Sequence, residues 1–273
     1  MQVLSVEDLT VAAQALQYVA RYDSMRLRTY REKENLADRI QMSSIASALA
    51  LRFDDVGYFN RVYCADESVL EMLPEIERFY HGGLFGCELV GPPAVAFGNQ
   101  RKISRRGWVS ANCYAWLYAE DCRLLPAPQS TKFSIRPPEP SQRELFLKTY
   151  LRAFEAQEDR LVAARRNMLH LFDRPELDFL IAWHDETIAG VAITMRNGSA
   201  ALLCAGAALP EYREMGCHAA LLAARIRFAS ESGCRQIYSW AALGGQSQSN
   251  IEKAGLSMVG TTTTWRFSPE SRV

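Results

Sequence analysis

The residues best placed to do chemistry lie in one short run, Leu209-Pro210-Glu211-Tyr212-Arg213-Glu214-Met215-Gly216-Cys217-His218-Ala219. An apolar, strand-like stretch from Ala200 to Leu209 feeds this loop, and helical periodicity begins directly after it, from about His218 to Ser232. Amides in the first turn of a helix lack an acceptor within the helix and carry partial positive charge, so the spacing suits a phosphate or pyrophosphate. Gly216 lets the backbone come close to such an anion. The same residues also suit a plain strand-loop-helix connection in which the glycine only makes a turn.

Other combinations carry less. Cys204, Cys217, His218 and Cys234 suggest a thiol nucleophile with a histidine base, but no orienting partner or nucleophile-elbow glycine accompanies them, and buried inert thiols fit better. Asp54-Asp55 and Glu155 with Glu158-Asp159 are candidate acid pairs that read as solvated or capping carboxylates. Gly244-Gly245-Gln246-Ser247 lacks the Lys-Ser/Thr ending of a nucleotide loop. The seven cysteines show no CxxC and the four histidines no HExxH, which disfavours a metal site.

Lys plus Arg and Asp plus Glu are 31 each, and this balance argues against a chain built to neutralise many phosphates. The aromatic residues fall mostly at core periodicity and offer no base-stacking surface. With 48% hydrophobic and 23% charged residues the composition is that of a folded globular protein. No run approaches ~18 apolar residues, and the N-terminus lacks a basic region followed by an apolar one. The expectation is a cytoplasmic protein with reduced cysteines, and neither nucleic acid nor membrane as partner.

The length of 273 residues, at ~150 per domain, allows one large or two small domains. Five of the eleven prolines fall between 126 and 140 and mark a connector, which places a boundary near residue 130. In the first half a helix carries Leu9, Ala12, Leu16 and Val19 behind Ser5 as N-cap. Strands are predicted over Val56 to Tyr63, Phe85 to Val90, Ala94 to Phe97 and Val109 to Leu117. A Ser68/Glu71 capping box opens a further helix, in which Pro74 is either a kink or the true start.

The second half opens with a short strand at Phe133 and Ile135, then a helix from a Ser141/Glu144 capping box and another ending before Pro175. Strands Asp178 to Trp183 and Thr187 to Thr194 flank a tight turn, and Asn197-Gly198 turns into Ala200 to Leu209. After the central helix come Gly233 as its C-terminal stop, a strand Arg235 to Ala242, a short helix Ser249 to Ala254 and a last strand Val259 to Phe267. The fold class is mixed α/β.

Arg213-Glu214-Met215-Gly216-Cys217-His218 resembles the acyl-CoA-binding signature Arg/Gln-x-x-Gly-x-Gly/Ala of the GCN5-related N-acetyltransferase (GNAT) superfamily, with His218 departing at the sixth position. Ala189-Gly190 and the run Asn250-Ile251-Glu252-Lys253-Ala254-Gly255-Leu256 are also similar to the family, so the likeness covers about residues 131–267. The first half resembles the diverged half of tandem GNAT proteins and has no such loop. The resemblance implies tandem GNAT-like halves, each a twisted, mostly antiparallel sheet flanked by helices: residues 1–130 without a CoA loop and residues 131–273 binding acyl-CoA.

By that resemblance the partners are acyl-CoA and an amine acceptor, on a monomer that is an internal pseudo-dimer or on a homodimer. The reaction is direct attack of an amine, on a small molecule or exposed peptide, upon acetyl-CoA or another acyl-CoA, with no metal. The splayed end of the strand (Ala207, Ala208, Leu209) would pair with the pantetheine arm, and Asn250 would contact it. The loop from Arg213 through Glu214, Met215, Gly216, Cys217 and His218 to Ala219 would hold the pyrophosphate. Ile251 stands where the family's acidic tyrosine normally sits, so no catalytic acid or base is assigned. A silent CoA- or protein-binding module is the alternative, as is an enzyme for a longer acyl-CoA.

Overall fold

The structure is a computed structural model that describes residues 6–92, 95, 98–126, 132–155 and 161–268. Ser5, Pro128 with the expected boundary at 130, and Glu158-Asp159 lie outside the described residues, and of the strand expected over Ala94 to Phe97 only Val95 is described, in a helical turn. By contacts the chain forms two compact units, Met1–Trp116 with Val259–Val273, and Leu117–Met258. The division therefore falls at residue 117, ahead of the proline-rich connector, and the last strand counts with the first unit.

In the first unit the helix Val6–Lys33 runs well beyond the Leu9–Val19 periodicity that marks it in the sequence. It is followed by strands β1 (Ile40–Ile45), β2 (Ala48–Phe53), β3 (Arg61–Cys64), β4 (Cys87–Val90), β5 (Val109–Ala119) and, from the far end of the chain, β11 (Ser257–Phe267). Their spatial order is β1-β2-β3-β4-β11-β5. β1, β2 and β3 pair antiparallel, β3 and β4 pair parallel, and β11 returns antiparallel to β4. Helix Leu73–Tyr80 bridges the parallel pair, and Pro74 sits at its start, where a missing N–H costs nothing. The expected Ser68/Glu71 box is replaced by a 3-10 turn, Glu67–Glu71, capped by Asp66, whose carboxylate accepts from Ser68 N at 2.8 Å. Val62, Leu73, Ile76, Tyr80, Trp108 and Phe267 form the core of this unit.

The second unit repeats this grammar. β6 (Ser134–Arg136), β7 (Leu177–His184), β8 (Thr187–Asn197), β9 (Ala200–Ala208) and β10 (Gln236–Ala242) lie in the order β10-β9-β8-β7-β6. All neighbours are antiparallel except β9 and β10, which are parallel and bridged by helix Cys217–Glu231. Helix Arg143–Ala153 is entered through a capping box made by Glu139 and Gln142, not the expected Ser141 and Glu144; Glu144 instead pairs with Arg165. The core beneath helix Cys217–Glu231 is built from small residues, among them Ala182, Ala189, Ala192, Ala208 and Ala220. Small side chains bring helix and sheet close, and this fixes where the helix begins. A Cβ on Gly190 of β8 would lie 2.7 Å from Ala207 O and 3.0 Å from Cys217 Sγ, so only glycine fits there.

Candidate functional site

Helix Cys217–Glu231 starts at Gly216, whose φ of +87° is the left-handed region that an L side chain resists. No side chain caps this end, so the first-turn N–H groups of Cys217, His218 and Ala219 have no intrahelical acceptor and point out of the helix. Two ion pairs hold the preceding 3-10 turn, Pro210–Met215, against helix Arg143–Ala153. Arg213 donates from Nη2 to Glu155 Oε1 at 2.8 Å and to Ala153 O at 3.2 Å, and Arg152 reaches Glu211 at 3.0 Å. The Arg213 guanidinium thus sits at the negative end of one helix while fixing the positive end of another. Glu214 and Met215 are exposed; Ala208, Leu209 and Cys217 are buried. Burial pushes the Cys217 thiol up to about 12, which makes it inert, and all seven cysteines are free.

The parallel ladder between β9 and β10 holds only over Gln236–Ala200, Ile237–Ala201 and Tyr238–Leu202, although both strands continue, β9 to Ala208 and β10 to Ala242. The strands therefore part after Leu202. On the other side β9 stays paired with β8, and Leu209 N donates to Ala189 O at 2.8 Å. By the alternation of antiparallel pairing, Ala205 and Ala207 give their backbone groups to β8, while those of Gly206 and Ala208 face the gap left by β10.

From the start of helix Cys217–Glu231 and along it runs a groove of about 810 Å³, within the usual range for a small-molecule site. Gly216, Ala219 and Ala223 line one side, and Asn250 and Lys253 of helix Gln246–Lys253 another; Lys132 adds positive charge, and Arg227 is paired with Glu231 at 3.8 Å. At its head Asn250 Oδ1 accepts from Gln246 Nε2 at 3.0 Å, so its Nδ2 donates to His218 Nδ1 at 3.3 Å and the ring proton resides on Nε2. Burial, and then the Arg225 charge, pull His218 down to about 4, so the ring is neutral at pH 7. Ile251 is 3% exposed and packs inward, and Tyr238 is buried against Tyr118; neither side chain stands open in the gap.

The sequence reading missed Arg225. It is buried in the helix between Ala224 and Ile226, with Nη1 donating to Ala205 O at 3.0 Å and Nε to Leu221 O at 3.4 Å. Its signal was present: a single charge inside the apolar run Leu221-Leu222-Ala223-Ala224-Arg225-Ile226, seven residues after His218 and so on the same face.

The sequence profile of the family described as acetyltransferase (GNAT) domain matches residues 140–246. No curated protein sequence matches the chain. Among solved structures, a GCN5-related N-acetyltransferase from Kribbella flavida superposes with a TM-score of 0.60 at 14% identity, over 88% of this chain and 94% of that one. One from Sphaerobacter thermophilus gives 0.61 at 15% identity, over 87% and 85%. A tandem GNAT protein of the clavulanic acid biosynthesis pathway gives 0.57 at 14%, over 81% and 78%. Residues 140–246 thus match the GNAT acetyltransferase domain, and the chain shares the fold of the GCN5-related N-acetyltransferases. Family and fold support an acetyltransferase role. Among the described residues no helix is long and apolar enough to cross a membrane.

Proposed function

We propose that the chain is an N-acyltransferase that binds one acyl-CoA in the second unit and transfers the acyl group to an amine. One observation carries the reading: the uncapped start of helix Cys217–Glu231 follows the strand whose ladder stands open and lines a groove that also holds Lys132 and Lys253. The N–H groups from Gly216 to Ala219 suit the pyrophosphate. The backbone groups of Gly206 and Ala208 suit the amides of a pantetheine arm, and Lys132 and Lys253 suit further phosphate. In the reaction the free amine attacks the thioester carbonyl, a C–N bond forms as the C–S bond breaks, CoA leaves as thiolate, and the ammonium proton passes to solvent. Among the described residues the first unit offers no equivalent cradle. Its bridging helix Leu73–Tyr80 carries Pro74 and Glu75 in the first turn, the one lacking an N–H and the other a charge that repels phosphate. Calorimetric titration of the full chain with CoA tests this: one site per chain is expected, and no binding well above micromolar CoA overturns it.

A second reading, a silent CoA-binding module, draws on the inward packing of Ile251 where the family places a tyrosine acid. Thiol release from acetyl-CoA and longer thioesters across a broad screen of amines and peptides separates the two. Turnover that rises with pH as the amine loses its proton marks the enzyme; release no faster than hydrolysis marks the module.

A further inference from the structure

Arg225 is a cation without a counter-charge. Its side chain is 3% exposed, and its acceptors among the described residues are two neutral carbonyls, Ala205 O and Leu221 O, with Nη2 left without a partner. No carboxylate among the described residues pairs with it, although the chain pairs most of its buried and half-buried arginines: Arg52 with Asp54, Arg61 with Asp23 and Glu88, Arg196 with Asp178. A guanidinium has five N–H donors, and a desolvated charge without an anion is costly to keep. Its surroundings depress it to about 10, through burial, and the one ionisable neighbour acting the other way is the Cys204 thiol. His218, on the same helix face, is neutral and supplies no competing charge.

The place of this charge gives it meaning. A Cβ on Gly206 would lie 2.6 Å from Nη2, so the guanidinium is laid across the one residue of β9 with no side chain, in the stretch where β10 has parted from it. The guanidinium therefore lies against β9 at Gly206, in the stretch that β10 no longer pairs, and no carboxylate among the described residues pairs with it. We propose that Arg225 seats a carboxylate of the bound substrate pair, carried either by the far end of the acyl chain, as in a dicarboxylic acyl-CoA, or by the amine acceptor. The inference rests on the acyl-CoA reading above and narrows its substrate class.

The test uses the full chain. Calorimetric affinities for succinyl-CoA and butyryl-CoA, equal in acyl length and differing in the carboxylate, form one arm, with CoA and acetyl-CoA as baselines. Thiol release from acetyl-CoA with amino acids against their decarboxylated amines forms the other. At least a tenfold preference for the carboxylate is expected in one arm, and that arm identifies its source. Arg225→Gln should erase the preference and Arg225→Lys should retain part of it. Should Arg225→Gln not fold, the wild-type ratios and Arg225→Lys decide. CoA binding with less than a threefold preference in both arms overturns this inference alone and makes Arg225 a strut for Ala205. Failure of every thioester and of CoA itself to bind overturns the acyl-CoA reading, and this inference with it.

Discussion

His218 and Asn250 meet at 3.3 Å and join the first turn of helix Cys217–Glu231 to helix Gln246–Lys253 at the head of the groove. The contact requires an unprotonated Nδ1, and the environment supplies it, since burial and the Arg225 charge hold the ring near pKa 4. Unfolded histidine titrates near 6.5, so between about 6.5 and 4 the unfolded chain takes up a proton that the folded chain refuses. The contribution to stability is complete above about 6.5 and is lost as pH falls towards 4. His218→Gln should remove about 1 kcal/mol of the stability that the wild type loses between pH 7 and pH 5. Denaturant unfolding at the two pH values reads this directly, and parallel acid limbs for the two proteins would refute it.

Gly216 separates conformation from space. No heavy atom lies within 4 Å of a Cβ built there, so the penalty of a substitution comes from φ alone. Gly216→Ala should cost about 1–2 kcal/mol of stability, visible as a lower Tm. Gly216→Val should cost more, because branching stiffens the residue, and its side chain should stand where the pyrophosphate belongs, which abolishes the heat of CoA binding. Normal CoA affinity in a folded Gly216→Val variant counts against the loop as the phosphate site.

Ile251→Tyr does not restore an acid. At 3% exposure the position has no room for a phenol, and overpacking should cost about 1–3 kcal/mol. Thermal unfolding and turnover with the best acceptor check this together. A gain in rate without loss of stability would show that the side chain can turn towards the leaving sulfur.

Glu77 holds the first unit together at one point. It accepts from Arg106 Nε at 2.9 Å, Arg106 Nη2 at 2.7 Å and Trp108 Nε1 at 3.0 Å, and is 7% exposed. Glu77→Ala leaves a buried indole N–H and a half-buried guanidinium without their acceptor and should cost about 2–3 kcal/mol. CoA affinity, which belongs to the other unit in our reading, should be unchanged once the protein is folded; a parallel loss of CoA binding would contradict the one-site assignment.

The second unit was legible because its signals are local. Gly198, Gly216 and Gly233 all adopt positive φ, and the elements they punctuate fall within a few residues of expectation. The hairpin β1–β2 was not legible. Its turn places Ala46 at φ 49°, a conformation usually announced by Gly or Asn, so the sequence carries no turn mark there. Caps were misread for a related reason: Asp66 and Glu139 supply the side chains that Ser68 and Ser141 were expected to supply, and several polar residues in a row offer more than one cap. The loop of the candidate site could be read from spacing, whereas the parting of β9 from β10 could not, because it depends on register between segments far apart in the chain. Arg225 was visible as a misplaced charge, and only the fold shows that no carboxylate answers it.

The early end of the β9–β10 ladder makes one strand two-sided in its chemistry. Ala205 and Ala207 are fastened to β8, whereas the backbone groups of Gly206 and Ala208 face the side from which β10 has parted. Exposed to heavy water, β9 should therefore exchange its amide hydrogens like a comb, every second one quickly and the ones between slowly. A ligand that completes the missing ladder would fill in the fast teeth and leave the slow ones as they were, so the strand itself reports, residue by residue, when its second neighbour has arrived.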